Sequence, residues 1–361
     1  MIKHAYIHIP FCIRKCKYCS FVSGKNIEYK DIYIKTLLKE IKNRYKNDSL
    51  KTLYIGGGTP SLLDVKDFEL IISSFVFDKN PEITIEANPE TIKKNKIKSI
   101  YSLGFNKVSL GVQTFYNSIL KQIGRLHNDI EIYKAVDYIK SAGFENISID
   151  LIYGLPGQTY EIFEKDLEKA ITLDVKHVSG YGLKIEENSF YYEHQPENIP
   201  DDEVQAKMYL NMIDKLKENN YKHYEISNFA KKGYESKHNC CYWKNENYYG
   251  FGLNASGYED NIRYKNTSVL EKYIVNPEEK EEKICLSRQE TMENEIFLAL
   301  RLKEGIDINS INKKYNIDFE EKYKKVISKY QKLNMLEIDK NHYRLTKEGI
   351  LLSNNIMADF L

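Results

Sequence analysis

The sequence predicts an α/β fold: an open, partial (β/α)6 barrel of parallel strands, followed by a small winged-helix-like α+β domain. Two observations carry this. Over the first 220 of 361 residues, short β-branched runs alternate with amphipathic stretches. Strands that alternate with helices in this way form parallel sheets joined by crossover helices. From about residue 288 the pattern changes to helix, helix, hairpin, helix.

The first strand is read at 5–9 (AYIHI) and the next five at 51–55, 82–86, 106–111, 146–151 and 176–182. The helices between and after them are read at 29–45, 64–76, 92–102, 129–142, 160–172 and 201–219. Six repeats suit an open barrel rather than a closed eightfold one. Several strands end in Gly, Pro or Asn clusters: GGGTP at 56–60, ANPET at 87–91 and YGLPGQT at 153–159. Functional loops in parallel α/β folds follow the C-terminal strand ends, so the site is expected there. The barrel is read at 1–220. An aromatic, Gly-rich extension at 221–287 includes the charged stretch 276–283 (NPEEKEEK), read as a linker or solvated turn. The small domain is read at 288–361, its hairpin joining 334–338 to 342–345.

Lys+Arg (53) and Asp+Glu (52) nearly cancel, and the net charge of +1 argues against a strong basic field for nucleic acid. No apolar run approaches the ~18 residues of a transmembrane helix. The opening MIKHAYIHIPF is too short and interrupted for a secretory signal. The expected compartment is therefore the cytoplasm, where thiols stay reduced.

Reduced cysteines at close spacing ask for a ligand. Cys12, Cys16 and Cys19 form C-x3-C-x2-C directly after the first strand. A structural zinc site wants four ligands, usually in two short-spaced pairs, and no second pair stands at suitable spacing. His8, or Cys240 with Cys241, supplies a fourth only by folding back. A [4Fe–4S] cluster accepts thiolates from a single loop. Three thiolates would hold three irons and leave the fourth open to a substrate or cofactor. The cluster is the favoured reading, with zinc and incidental cysteines beside it.

The cysteine spacing resembles that of the radical S-adenosylmethionine (SAM) superfamily. Within it, Tyr6-Ile7-His8-Ile9-Pro10-Phe11-Cys12 is similar to the group containing anaerobic coproporphyrinogen III oxidase and the HemW-type heme chaperone. The resemblance implies a partial (β/α)6 barrel with SAM chelating the open iron. It places the methionine end of SAM against Gly57, Gly58 and Thr59, with Tyr6 beside it. It further assigns Glu86 to the ribose hydroxyls, and Gln113, Arg125 and Asp150 to the SAM pocket. One electron from the reduced cluster would split the sulfonium and give a 5′-deoxyadenosyl radical, so the cofactor supplies the hard chemistry and the protein positions it. No catalytic residue is assigned beyond His8 as a candidate.

Within this group the chain is most similar to the heme chaperones. The cluster loop begins at residue 12, without the oxidase's N-terminal extension. Phe21 stands where the oxidase motif has a further Cys. His238-Asn239-Cys240-Cys241-Tyr242-Trp243 fits the chaperone's H-N-x-x-Y-W pattern, and the C-terminal segment resembles the chaperone's small domain. This implies heme contact through His238, Tyr242 and Trp243, heme and heme-acceptor proteins as partners (some of them membrane proteins met transiently), and an electron donor if SAM is cleaved. Imidazole and thiolate are both known heme ligands, and the two rings give flat apolar surface. The roles of Cys240 and Cys241 stay open. Ser256 stands where the family often has His, in Gly250-Phe251-Gly252-Leu253-Asn254-Ala255-Ser256-Gly257. Coproporphyrinogen III oxidation, or another radical SAM reaction on a tetrapyrrole, stays as the alternative.

Overall fold

The computed structural model describes residues 1–361. Six parallel strands and their crossovers follow in order: β1 (His4–Ile9), α1 (Lys30–Arg44), β2 (Ser49–Gly57), α2 (Val65–Ser73), β3 (Val76–Ala87), α3 (Lys94–Ser102), β4 (Lys107–Gln113), α4 (Asn117–Gln122), α5 (Asp129–Ala142), β5 (Asn146–Tyr153), α6 (Tyr160–Thr172) and β6 (His177–Gly182). Local chemistry explains the helix bounds. In α5, Asn128 and Glu131 form a capping box, Ile132, Ala135, Val136 and Ile139 face the core, and Gly143 ends the helix at φ +109°.

The strands pair in sequence order, all parallel. Their register decides what lies side by side. His4, Thr52 and Glu82 share one level. Tyr6, Tyr54 and Thr84 share the next, and His8 lies beside Gly56 above them. Along β1 the sequence alternates His4, Tyr6, His8 with Ala5, Ile7, Ile9, the latter three fully buried. The period of two sends the apolar set to the crossover helices and the polar set to the inner face.

The main sheet does not stop at residue 220. Beyond α7 (Phe190–Glu193) and α8 (Asp202–Glu218), β8 (Asn228–Ala230) adds antiparallel to β6, and β7 (Lys222–Glu225) adds antiparallel to β8. The chain then forms α9 (Lys237–Trp243) and returns to the opposite edge, where β9 (Tyr249–Phe251) pairs parallel with β1. The result is a nine-stranded sheet, β7-β8-β6-β5-β4-β3-β2-β1-β9.

A second sheet holds β10 (Ser256–Glu259), β11 (Ile262–Asn266) and, after α10 (Leu270–Val275), β12 (Lys280–Cys285). Here the sequence reading is corrected. The charged stretch expected as a linker runs into edge strand β12, where Glu282 pairs with Lys265 and Lys283 with Tyr264. Its charges point outward on an edge, where they discourage pairing with another chain.

The small domain contains α11 (Arg288–Ala299), β13 (Ile306–Asp307), α12 (Ile308–Tyr315), α13 (Phe319–Lys322), α14 (Lys324–Lys332), β14 (Leu336–Asp339), β15 (His342–Leu345), α15 (Lys347–Leu351) and α16 (Ser353–Ala358). Its three-stranded sheet, β13-β15-β14, includes the expected hairpin.

Candidate functional site

The cysteine loop leaves β1 and is pinned by its backbone. Cys12 N–H donates to Gly24 O (2.8 Å), Lys17 N–H to Ile123 O (3.0 Å) and Cys19 N–H to Cys16 O (3.2 Å). All three thiols are free and half-buried. Two sulfurs receive donors: Thr59 Oγ1 lies 3.5 Å from Cys12 Sγ, and Arg125 Nη1 lies 3.7 Å from Cys16 Sγ. Burial pushes the Cys19 thiol up to about 11, so a bound metal must displace its proton. Three thiols on one loop, with hydrogen-bond donors aimed at sulfur, fit a [4Fe–4S] cluster held through three irons.

The C-terminal strand ends gather round this loop. A Cβ at Gly57 (φ +111°) would meet the His8 ring at 2.7 Å, and one at Gly58 would meet Phe11 O at 2.7 Å. The N–H groups of Gly57, Gly58 and Thr59 donate to Glu86 Oε2 (3.0 Å), Ile9 O (2.8 Å) and Phe11 O (2.7 Å). The glycines are thus required by packing against β1, and what the backbone can still offer a ligand here is carbonyl oxygen.

Glu86 also accepts from Tyr54 Oη (2.7 Å). Burial, reinforced by Asp150, raises its carboxyl to about 7 against the donations of Tyr54 and Gly57. Asp150, raised by burial to about 6, accepts from Ser109 Oγ at 3.2 Å. Gln113 sits at φ +69°, where the β4–β5 register breaks. A Cβ at Gly111 would lie 3.0 Å from Gln113 Nε2, 3.1 Å from Arg125 Nη2 and 3.1 Å from Asn88 Oδ1, so these groups converge. Arg125 donates to Asn88 Oδ1 (2.7 Å), while its Nε is buried without a partner. That orphaned donor beside Cys16 fits a ligand carboxylate. Asn88, which also donates to Thr59 (3.1 Å), was not singled out from sequence.

His8 is neutral. Burial lowers it to about 4, and its ring nitrogens meet Val22 O (2.9 Å) and Tyr6 Oη (3.0 Å). Both Tyr6 and His8 line an open cavity of about 420 Å³ together with Phe21, Tyr242, Trp243, Asn245, Glu246, Tyr248, Asn254, Ser256, Arg263 and Leu298. Phe21 and Ser256, the two departures from the neighbouring family patterns, therefore face the same space. Leu298 comes from α11, and Arg301 lies 4.4 Å over the Trp243 ring, so the small domain helps to wall it.

His238 is elsewhere. It is 1% exposed and stacks on Tyr54 at 5.1 Å between ring centroids. Its N–H and that of Lys237 are capped by buried Glu82 (2.9 and 3.2 Å). Cys240 and Cys241 do not line the cavity, and burial raises both thiols. Ligand atoms of His4, His238 and Cys241 lie within 4.8 Å of one another, but the Thr52 hydroxyl binds the Nδ1 atoms of both imidazoles, at 2.9 and 2.7 Å.

The Radical SAM superfamily model matches residues 6–170, and the HemN C-terminal domain model matches residues 286–352. A heme chaperone HemW from Lactococcus lactis is 40% identical over 370 residues, spanning 99% of this chain and 97% of that protein. The chain belongs to the HemW family. The HemW proteins of Bacillus subtilis (34% identical, 100% of this chain and 99% of that protein) and Escherichia coli (36%, 70% and 69%) agree. Among solved structures, coproporphyrinogen III oxidase (HemN) from Escherichia coli shares the fold, with a TM-score of 0.88 over 99% of this chain and 90% of that one, at 23% identity. The expected α/β barrel with a small C-terminal domain is the fold this HemW-family chain adopts.

The reading from sequence passed over His4, Thr52, Tyr54, Glu82, Tyr248 and Arg263. The alternation of His4, Tyr6 and His8 along β1 was a usable signal for the first of these. For Arg263, on a short strand of the second sheet, no local signal existed.

Proposed function

We propose that this chain is a heme chaperone. It holds a [4Fe–4S] cluster through Cys12, Cys16 and Cys19, takes SAM against Gly57–Thr59, Glu86, Gln113, Arg125 and Asp150, and passes heme to acceptor proteins in the cytoplasm. No helix is long and apolar enough to cross a membrane. When present, the cluster and SAM supply one-electron chemistry, and an electron donor then takes part. The chain's own residues position SAM and shield the site.

One observation carries the reading: the cavity beside the cluster loop. Tyr242, Trp243, Tyr248 and Phe21 give it aromatic surface for a flat macrocycle, and Arg263 gives it a cation. Anaerobic titration of the cluster-reconstituted chain should saturate near one heme per chain, with negligible conversion of coproporphyrinogen III. Turnover of coproporphyrinogen III at a useful rate would instead make the protein the oxidase.

Arg263 offers a narrower test. It stacks 4.8 Å over Tyr258 and donates to Asn245 Oδ1 (2.9 Å), leaving Nε buried without a partner. A propionate is the group that completes it. Losing a hydrogen bond to a charged group costs roughly 1.5 kcal/mol, so Arg263→Gln should weaken heme binding about tenfold. Heme dimethyl ester should bind both proteins equally. Equal heme affinity in both would remove Arg263 as the anchor.

A further inference from the structure

Resting on the reading of the cavity as a heme site, we infer that Tyr242 Oη, rather than a nitrogen of His238, is the atom this chain offers to the iron of ferric heme. His238 is a positioning residue behind it.

Both imidazole nitrogens of His238 are occupied: Nδ1 by Thr52 Oγ1 (2.7 Å) and Nε2 by Tyr242 Oη (2.7 Å). The ring is sandwiched in the protein, between the Tyr54 face and the edge-on Tyr242 ring at 5.0 Å. Tyr242 lines the cavity and His238 does not.

The hydrogen bonds also allow one continuous direction. The Glu246 carboxylate only accepts, so His4 Nε2–H donates to it (2.9 Å). In the tautomer whose single ring proton is that Nε2–H, His4 Nδ1 takes the Thr52 hydroxyl proton (2.9 Å). The Thr52 oxygen accepts in turn from His238 Nδ1–H, and His238 Nε2 accepts from the Tyr242 hydroxyl. In this arrangement the one proton of Tyr242 points inward, and only oxygen lone pairs remain for the cavity. Phenolate oxygen is a recognised heme ligand. When the Oη–iron bond forms, the phenol O–H bond breaks and its proton goes to His238 Nε2. The Nδ1 proton can then shift along the row toward Glu246, whose side chain is 47% exposed. The iron stays ferric throughout.

The test is ferric heme titration of wild type, Tyr242→Phe and His238→Ala, read by absorption and resonance Raman, with circular dichroism and cluster content as controls for folding. Wild type should show a phenolate-to-iron charge-transfer band and an iron–phenolate vibration. Tyr242→Phe, which keeps the ring, should lose both. His238→Ala should shift and weaken them without removing the phenolate signature. A wild-type spectrum in Tyr242→Phe, or an imidazole signature that vanishes in His238→Ala, would overturn the assignment alone. Absence of saturable binding in wild type would overturn the cavity reading as well, and it shows in the titration endpoint rather than the spectrum.

Discussion

Replacing Cys16 with alanine is expected to abolish cluster reconstitution, dropping bound iron from about four per chain to near none. The Cys16 thiol accepts from Arg125 Nη1, and the loop's shape depends on backbone bonds from Cys12, Lys17 and Cys19 that the substitution leaves alone. Arg125 keeps its bonds to Asn88 and to the Gly111 carbonyl. Iron-free wild type and variant should therefore unfold within about 2 °C of each other, since a change of about 1 kcal/mol moves a chain of this size by no more than that. Cys240→Ala, outside the loop, should retain its iron. Iron and acid-labile sulfide assays after anaerobic reconstitution, with a thermal melt, check all three. Full iron in Cys16→Ala would remove the cluster assignment, and one zinc per wild-type chain without sulfide would restore the zinc reading.

The parts of the fold legible in the sequence were those set by local periodicity. Helix α5 lies at 129–142, as read, because its caps and its apolar stripe are contained within those residues. The 64–76 helix ends earlier, at Ser73, because Val76 already belongs to β3, whose arm Val76–Phe77 pairs with Ser49 and Leu50. β9 could not be read at all. It is a three-residue strand with Gly250 at its centre, and its partner β1 lies more than 240 residues earlier in the chain. A Cβ at Gly250 would stand 2.0 Å from the Ser256 carbonyl oxygen, so the small residues of 250–257 answer a backbone contact that sequence does not display. The same holds at the site. Cys12, Cys16 and Cys19 are a local spacing and needed no structure. The position of His238 depends on Thr52 and Glu82, which come from two strands far off in sequence, so the motif named the segment without showing which of its side chains faces the cavity.

The contribution of Glu86 to SAM binding is expected to strengthen steeply with pH and then level off near neutrality. Unfolded, Glu86 and Asp150 ionise near 4.5 and 3.8; folded, burial holds them at about 7 and about 6. Between those limits the ligand-free fold carries more protons than the unfolded chain, so its stability falls as pH rises through about 4 to 7. SAM reverses the preference at the site. Its sulfonium is cationic and its ribose hydroxyls donate, and both favour an ionised Glu86. Below the folded value, binding must expel the Glu86 proton, so wild-type affinity should rise by about tenfold per pH unit more than that of Glu86→Gln up to about pH 7. Calorimetric titration of the cluster-loaded protein in buffers of differing ionisation enthalpy should show close to one proton more released per SAM in wild type than in Glu86→Gln near pH 6, the difference declining above pH 7. The proton that the SAM ammonium would lose on chelating the open iron is common to both proteins and cancels in that difference. Glu86→Gln should also weaken binding about 10–100-fold at pH 8, where the charged acceptor is lost, and far less at pH 6, where wild-type Glu86 is already neutral. Affinity independent of pH in wild type would show that SAM does not meet Glu86. A wild-type release no larger than that of Glu86→Gln would remove Glu86 as the titrating group, and a bend near pH 6 in both profiles would point to Asp150, raised to about 6.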